Sequence, residues 1–415
     1  MKSETGLRTL RIGSLAHLGS GISKDGGKVV FVPYTVPGDL IQARIVEEKS
    51  RFARGEMVRL LEPSPDRIEP PCPYFGECGG CQWQHIAYPT QLRYKTQIVR
   101  EQLAHVGGLA GVEVRDILGM EAPWGYRNGA RFTPDAEGHL GFQRAESNEV
   151  VPVEECLIVH QAVNEVYQTV GLEFPELEAL SVRVGIRTGE RMIVLETEGD
   201  EQPEVEADIP VSIALAMEGG ISATLVGMPV LHEEVAGRRY RISPTSFFQV
   251  NTSGADRLVE TVIQALEPEG GERLLDLYCG VGLFGLALAG RVGQVVGVES
   301  SPSAIADATA NAEGLDNVTF LEGTAEEILP SLEGPVDLAV VDPPRSGIHP
   351  QALRALMEKQ PRRIAYVSCE PTTLARDCAT LAGARYRLLW VQPVDMFPQT
   401  YHIESVALLE HSPRA

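Results

Sequence analysis

The sequence lacks several features that mark special classes of protein. No part of its 415 residues approaches the roughly 18 consecutive apolar residues of a membrane span. The opening stretch, MKSETGLRTLRIGS, has no apolar core of a signal peptide. Internal repeats and low-complexity tracts are absent, and a composition of 43% hydrophobic and 22% charged residues excludes disordered, collagen-like and coiled-coil chains. We therefore expect a cytoplasmic globular protein of two to three domains with no membrane partner.

Basic residues are also scarce, because 36 Lys and Arg face 57 Asp and Glu, giving a net charge of −21. Taken alone, this excess argues against a partner rich in phosphate. The charge is uneven, however: residues 1–62 carry ten basic and seven acidic side chains, whereas residues 146–235 carry three and nineteen. Near the end of the first segment lies a basic strip, which fits either a solvated rim or a phosphate contact: Arg44, Lys49, Arg51, Arg54 and Arg59.

The patterning divides the chain into three predicted domains. Residues 1–63 alternate apolar and polar positions between Gly and Pro turns, which predicts a small β-barrel. Residues 64–237 begin with a proline-rich linker and contain a cysteine cluster, a helix over 88–107 that can pack on the next domain, and an acidic, strand-rich remainder. Strands and helices alternate in residues 238–415, which predicts an α/β, doubly wound, Rossmann-like sheet with a terminal antiparallel hairpin.

A glycine turn follows the first strand of this last domain. In LLDLYCGVGLFGLALAG, Gly280, Gly282 and Gly285 fit the pattern G-x-G-x-x-G, which lets the backbone approach a ligand. Glu299 ends the next strand, where a carboxylate can hold ribose hydroxyls. A tight packing turn without a ligand is the alternative. The glycines alone do not distinguish a dinucleotide from S-adenosylmethionine.

Three reactive side chains follow later strands. Asp342 ends a strand in VVDPPRSG, Cys369 ends the next in YVSCEPTTLARD, and Glu404 lies in HIESVALLE. A thiolate at this edge of the sheet is a candidate nucleophile, although a free cysteine is often only buried. Among apolar neighbours Glu404 would have a raised pKa and could act as a base, and an exposed strand glutamate is the alternative.

These motifs resemble known families. Asp276 inside the glycine-motif strand, the carboxylate of VVDPPRSG and the terminal hairpin resemble class I S-adenosylmethionine-dependent methyltransferases. The trio DPPRSG, SCEPTTLARD and MFPQTYHIESVALL resembles the RNA uracil-C5 methyltransferase family. The N-terminal barrel resembles the TRAM RNA-binding domain, and the cysteine cluster resembles the iron–sulfur domain of the 23S ribosomal RNA branch of that family.

The resemblance implies a reaction and a set of site residues. Cys369 would add to C6 of a flipped-out uracil, and Glu404 would remove the proton from C5. The implied contacts with S-adenosyl-L-methionine come from Gln249, Tyr278, Gly280, Gly282, Glu299 and Asp342. The implied substrate contacts come from Phe247, Gln249, Asp342 and Arg345, although Phe247 and the neighbouring Phe248 could equally be plain core residues.

Three of the seven cysteines form the cluster CPYFGECGGCQWQH, and the remaining four lie far from it in the sequence. Thiols in a reducing compartment favour a metal site over disulfides. Cys72, Cys78 and Cys81 fit either zinc or an iron–sulfur cluster. The resemblance favours a [4Fe–4S] cluster and supplies Cys156 as the fourth ligand. We expect Cys279 and Cys378 to be packing residues.

Several functions remain open at this point. The main hypothesis is a monomeric enzyme that methylates uridine C5 in 23S ribosomal RNA, and the second is methylation of uridine 54 in the T-loop of transfer RNA. A different class is an RNA-binding module whose methyltransferase domain is silent. A nicotinamide-dependent oxidoreductase would explain the glycines and Glu299 but leaves Cys369 and the DPPR loop without a role.

Overall fold

The protein is described by a computed structural model over residues 7–171, 174–197, 199, 203–217 and 220–412. Within these ranges no helix has both the length and the apolar character needed to cross a membrane. The first six residues, on which the expected absence of a signal peptide partly rests, lie outside the described residues. So do the last three residues of the predicted third domain.

The N-terminal segment forms a six-stranded sheet in the order β1-β5-β6-β4-β3-β2. Its strands are β1 (Leu7–Arg11), β2 (Ser14–Leu15), β3 (Gly21–Asp25), β4 (Lys28–Val32), β5 (Leu40–Glu48) and β6 (Phe52–Glu62). Alternate side chains point inward, so that Val30, Val32, Ile41 and Ala43 form a small core of their own. The predicted strand-rich N-terminal unit is confirmed.

The proline-rich segment after β6 was expected to be a linker, but it is fastened to the sheet. Asp39 is fully buried and needs partners for its charge. The backbone N–H of Ser64 donates to Asp39 Oδ1 at 2.8 Å, and Arg67 pairs with Asp39 Oδ2 at 2.6 Å. A buried carboxylate therefore holds the segment in place, which composition alone could not indicate.

The acidic middle segment forms a seven-stranded sheet in the order β10-β9-β8-β11-β12-β13-β14. Its elements are β8 (Gly129–Pro134), β9 (Leu140–Gln143), β10 (Val150–Pro152), α2 (Gln161–Gln168), β11 (Leu177–Val184), β12 (Arg191–Thr197), β13 (Ser212–Met217) and β14 (Ile221–Val226). A two-stranded hairpin follows, formed by β15 (Leu231–Val235) and β16 (Arg238–Ile242). The expected domain boundary at 237/238 falls in the turn of this hairpin.

An eight-stranded sheet holds the C-terminal part, in the order β19-β18-β17-β20-β21-β23-β22-β7. Its strands are β17 (Arg273–Leu277), β18 (Gln294–Glu299), β19 (Val318–Glu322), β20 (Leu338–Val341), β21 (Arg363–Ser368), β22 (Tyr386–Val394), β23 (Glu404–His411) and the short β7 (Glu113–Val114). Strands β17 to β21 are parallel, whereas β23 is antiparallel to both β21 and β22. The predicted α/β sheet with a terminal hairpin is confirmed.

Helices cover both faces of this sheet. They are α1 (Tyr88–His105), α3 (Thr252–Leu266), α4 (Leu283–Leu288), α5 (Pro302–Asn311), α6 (Ala325–Ser331), α7 (Pro350–Lys359) and α8 (Pro371–Gly383). The strands read as continuous apolar runs because both faces are buried. Helix α1 lies against α8 and β22, and β7 extends the sheet beside β22. Two elements that precede the middle sheet in the chain therefore pack on the C-terminal sheet.

Candidate active site

The glycine turn connects β17 to α4 at the carboxyl edge of the sheet. Gly280 and Gly282 have φ values of 53° and 89°, which only glycine adopts readily. Asp276 lies on β17 below the turn, where its Oδ2 accepts a hydrogen bond from the backbone N–H of Gly285 at 2.7 Å. A Cβ atom at Gly285 would lie 2.8 Å from that oxygen, so the close approach of helix and strand requires glycine.

Glu299, at the end of β18, is held by the neighbouring backbone. Its carboxylate accepts hydrogen bonds from the N–H groups of Gly280 at 3.1 Å, Ser300 at 2.7 Å and Ser301 at 2.9 Å. These bonds fix the carboxylate beside the glycine turn. Oε1 already accepts the two serine N–H groups, whereas Oε2 accepts only from Gly280 and keeps a lone pair for a ribose hydroxyl.

Three carboxylates come together at this edge of the sheet. Burial raises the pKa of Asp276 to about 7, and Asp276 Oδ1 has no hydrogen-bond partner among the described residues. Burial, together with the charges of Asp276 and Glu299, also raises the pKa of Asp342 to about 7. A cationic ligand would relieve this repulsion and favour the ionised forms.

A cavity of about 610 Å³ opens beside the carboxylates, within the size range of small-molecule sites. Of the predicted cofactor residues, Tyr278 and Glu299 line it, while Gln249, Gly280, Gly282 and Asp342 do not. Thr324 and His349 also line the cavity. Thr324 follows β19 and His349 precedes α7. Neither belongs to a recognisable motif, so both are missed by sequence reasoning.

The candidate nucleophile and base face each other across two antiparallel strands. Ser368 of β21 pairs with Ser405 of β23, so Cys369 and Glu404 lie opposite each other one residue beyond that pair. Glu404 is almost fully buried, and burial together with the charge of Asp342 raises its pKa well above the ordinary value. The pKa of Glu404 is therefore raised, as the sequence predicts.

The thiol of Cys369 is held in its protonated form by these surroundings. Burial and the charges of Glu404 and Asp342 raise the pKa of Cys369 to about 11, while the nearby guanidinium of Arg345 opposes the rise. Arg345 is exposed, and its positive charge also opposes the rise in the pKa of Glu404. A thiol, a carboxyl group and an arginine thus lie close enough to act on one another's charge, an arrangement suited to moving protons around a nucleophile.

The predicted substrate loop lies between β16 and α3. Phe247 is 68% exposed, whereas Phe248 is half-buried and its ring packs 5.8 Å from that of Tyr240. Phe247 also borders a second cavity, of about 240 Å³, which Arg127 and Arg131 line from the middle segment. Gln249 is buried beside this loop.

An anchor on α5, which sequence reasoning missed, holds the substrate loop. Asp307 is fully buried and accepts hydrogen bonds from the backbone and hydroxyl of Ser243 and from the hydroxyl of Ser246. Helix α5 begins just after Glu299. Through Asp307, the loop that carries Phe247 is therefore attached to a helix that starts beside the candidate cofactor site. An aspartate inside a helix carries no pattern that would have indicated this role.

The four predicted cluster cysteines are brought together. Cys72, Cys78, Cys81 and Cys156 line a single cavity of about 260 Å³. Burial raises the pKa of Cys81 to about 12 and that of Cys156 to about 11. By contrast, Cys279 and Cys378 are buried outside this cavity.

The sulfur atoms in this cavity are widely spaced. Among the described residues, only Asp135, Glu137 and His139 bring three potential ligand atoms within 4.8 Å of one another, so no three of the cysteine sulfurs are that close. Tetrahedral zinc with Zn–S bonds of about 2.3 Å needs sulfurs about 3.8 Å apart. No three of these sulfurs lie as close together as one such ion requires.

The basic strip on the barrel is partly neutralised. Lys49 and Arg54 both form ion pairs with Glu47, at 2.8 Å and 3.5 Å. Arg44, Arg51 and Arg59 are exposed, and no side-chain partner is found for them within the part of the chain that the structure describes. These three arginines are therefore the ones available to an anionic partner.

Comparisons with known proteins agree with this geometry. Residues 230–412 match the tRNA (Uracil-5-)-methyltransferase family model, and residues 8–58 match the TRAM domain model. An uncharacterized RNA methyltransferase of Thermosynechococcus vestitus is 38% identical, over 97% of this chain and 98% of its own length. Another, from Halalkalibacterium halodurans, is 37% identical over 96% of each chain.

A solved structure is similar over nearly the whole chain. The Pyrococcus abyssi tRNA (uracil-54, C5)-methyltransferase in complex with S-adenosyl-L-homocysteine has a TM-score of 0.76 and 29% sequence identity, covering 97% of this chain and 100% of its own. These matches leave the nicotinamide-dependent oxidoreductase without support. The chain belongs to the S-adenosylmethionine-dependent RNA (uracil-5-)-methyltransferase family and carries an N-terminal TRAM domain.

Proposed function

We propose that this chain methylates C5 of a uridine in RNA through a covalent bond between Cys369 and C6 of the uracil. The observation that carries the proposal is the register of β21 and β23, which puts Cys369 opposite Glu404. The guanidinium of Arg345 lies at the sulfur, where it stabilises a thiolate. A nucleophile and a base on opposite strands can act on adjacent carbons of one ring.

The proposed reaction balances at each step. The thiol of Cys369 gives its proton to solvent, and the sulfur bonds to C6 while the electron pair of the C5–C6 double bond moves towards C5 and O4. C5 then takes the electrophilic methyl group that S-adenosyl-L-methionine supplies. Glu404, whose raised pKa means that it must first lose its own proton to solvent, then removes the C5 proton as a carboxylate. The double bond re-forms and the C6–S bond breaks, which releases the thiolate of Cys369.

The edge of the sheet fits the proposed cofactor. Glu299 is fixed for ribose hydroxyls, and the orphaned Oδ1 of Asp276 lies behind the turn. The crowding of Asp276, Glu299 and Asp342 suits a ligand with a sulfonium and an ammonium group. We assign Tyr278 to the cavity wall, and Gly280 and Gly282 to the turn that leaves room for the ligand.

The substrate loop suits a base taken out of an RNA fold. Exposed Phe247 offers a stacking surface, and Arg345 together with Asp342 and Gln249 can hydrogen-bond the edge of a uracil. A uridine inside folded RNA must be extruded to reach Cys369, because that side chain is only partly exposed.

For the four cysteines we propose a [4Fe–4S] cluster with a structural role. The shared cavity of four cysteines supports it, and no three of the described sulfurs lie as close together as a single zinc ion requires. When bound, the group would hold Cys72, Cys78 and Cys81 to Cys156, and so join two stretches of chain that are far apart in sequence.

For the substrate we propose 23S ribosomal RNA, bound by a monomer with three domains over 1–63, 64–237 and 238–415. The combination of a TRAM domain and a four-cysteine site supports this branch. The second candidate is uridine 54 of transfer RNA, because the similar Pyrococcus abyssi enzyme is a tRNA (uracil-54, C5)-methyltransferase.

One experiment tests the activity and the substrate together. Unmodified 23S ribosomal RNA fragments and a transfer RNA transcript are incubated with methyl-labelled S-adenosylmethionine, and the product nucleoside is identified. We expect 5-methyluridine in the ribosomal fragments alone. Label only in transfer RNA would keep the chemistry and replace the substrate. Label in neither RNA, with the iron loaded, would favour an RNA-binding module with a silent methyltransferase domain.

A further inference from the structure

A turn of the TRAM domain reaches the catalytic centre. Residues 16–20 close a tight loop between β2 and β3, with the N–H of Ala16 donating to the carbonyl of Ser20 at 2.7 Å. At its tip, the carbonyl of Gly19 accepts a hydrogen bond from the indole N–H of Trp83, and a Cβ at Gly19 would lie 3.0 Å from Tyr401. The loop therefore lies against the segment that leads to Glu404.

The same loop makes a polar contact beside the nucleophile. His17 Nε2 lies 2.7 Å from Oε1 of Glu370, the residue that follows Cys369. Both side chains are largely shielded, with 18% and 23% of their surface exposed. Burial alone would raise the pKa of Glu370, but the hydrogen bonds from His17 and from the N–H of Thr372 lower it to about 2. Glu370 is therefore a firmly ionised partner for His17.

Glu370 organises the backbone around Cys369. Its carboxylate caps the N-terminus of α8 by accepting from Thr372, and its N–H and carbonyl both hydrogen-bond the hydroxyl of Ser368. The hydroxyl of Thr373 bridges the carbonyls of Glu370 and Arg345. Cys369 is thus held between two residues that bond to each other, and the same turn is linked to the loop that carries Arg345.

Docking of the TRAM domain does not require this contact. Leu15 and Val36 are already buried in the same apolar cluster as the strands of the catalytic sheet. The hydrogen bond between His17 and Glu370 joins two shielded side chains next to the thiol of Cys369. Since docking does not depend on it, its position points to a role in the reaction.

We propose that His17 is a positioning residue for methyl transfer, which acts through Glu370 to orient the turn that presents Cys369. The TRAM domain then completes the active site as well as binding RNA. The inference rests on the proposed role of Cys369 as the nucleophile.

The test uses fragments of 23S ribosomal RNA in which 5-fluorouridine replaces uridine. The C5–F bond offers no proton for Glu404, so the adduct with Cys369 accumulates and can be counted on a denaturing gel. Full-length wild-type protein is compared with His17→Ala, His17→Gln and His17→Asn. The glutamine amide nitrogen can occupy the place of Nε2, whereas the shorter asparagine cannot reach it. His139→Ala is the matched control, because His139 forms a similar contact of 3.1 Å with Asp135, on the middle sheet.

We expect His17→Ala and His17→Asn to slow adduct formation about tenfold, as for loss of a hydrogen bond to a charged group. RNA and S-adenosylhomocysteine affinities and the unfolding midpoint should stay unchanged, and His17→Gln should recover most of the rate. Weaker RNA binding with an unchanged rate at saturating RNA, or equal rates for the glutamine and asparagine variants, would overturn the inference. Failure of the wild-type protein to form an adduct would instead overturn the role of Cys369.

Discussion

Lys95 and Asp395 form an ion pair of 2.6 Å in which neither side chain has any exposed surface. The ammonium also donates to the carbonyl of Phe397 at 3.0 Å, and the hydroxyl of Tyr88 donates to the other carboxylate oxygen at 2.8 Å. Helix α1 is thereby joined to the loop between β22 and β23. That loop ends at Glu404, so the pair fixes one side of the active site.

We predict that Lys95→Met lowers the free energy of unfolding by about 3–5 kcal/mol, because it leaves Asp395 as an uncompensated buried charge. The double variant Lys95→Met/Asp395→Leu should recover much of the loss, since no charge then remains buried. Urea unfolding of the three proteins measures both effects. Equal loss in the single and double variants would show that packing, rather than the charge, accounts for the effect.

Cofactor affinity should depend on pH through the carboxylates at the edge of the sheet. Asp276 and Asp342 have pKa values raised to about 7, so both gain charge as the pH rises through 7. A cationic sulfonium benefits from that charge, and the neutral sulfur of S-adenosylhomocysteine does not. We predict that the affinity ratio of S-adenosylmethionine to S-adenosylhomocysteine increases between pH 6 and 8.

Calorimetric titration of both ligands measures this ratio, with Asp342→Asn as the comparison. Removal of one ionisable carboxylate should flatten the pH dependence. A ratio that is independent of pH in the wild-type protein would contradict the assigned role of these carboxylates.

The unpaired arginines of the TRAM domain should bind phosphate. We predict that Arg51→Glu weakens RNA binding. The slope of log affinity against log salt concentration should also become less steep by about one or more, because fewer counterions are released from the RNA when the protein binds. Arg54→Glu should have a smaller effect, since the charge of Arg54 is already paired with Glu47. Filter binding over a range of salt concentrations compares them, and identical slopes for wild type and both variants would rule out the strip as an RNA contact.

The cysteine cavity should hold iron and sulfide. We predict that protein purified without oxygen is brown and that Cys156→Ser loses most of its iron. Cys279→Ala, a cysteine outside the cavity, should keep it. Metal and acid-labile sulfide analysis distinguishes the cases, and stoichiometric zinc without sulfide would refute the cluster.

The sequence predicts those parts of the structure that local patterns determine, and it does not predict contacts between residues far apart in the chain. The glycine turn, the strand alternation and the separate motifs of Cys369 and Glu404 are local patterns, and they were sufficient for the sheet and its reactive edge. The Lys95–Asp395 pair spans 300 residues, and the contact of His17 with Glu370 spans a similar distance. Side chains with no local pattern cannot be paired across such separations from one sequence.

The linker and the substrate loop show the same limit. Prolines after β6 indicate a break in regular structure, but only the burial of Asp39 reveals that the segment is fastened. Likewise, the two adjacent phenylalanines looked equivalent in sequence. The structure separates them, because one ring packs on Tyr240 and Phe247 points into solvent.

The central claim is that Cys369 forms a covalent bond to the uracil during methylation. We would test it by incubating the protein with S-adenosylmethionine and 5-fluorouridine RNA, then locating the adduct by peptide mass spectrometry. We expect a nucleotide carrying one added methyl group on Cys369, no adduct with Cys369→Ala, and S-adenosylhomocysteine binding by that variant equal to wild type. Methyl transfer to natural RNA by Cys369→Ala, or an adduct on another cysteine, would contradict it.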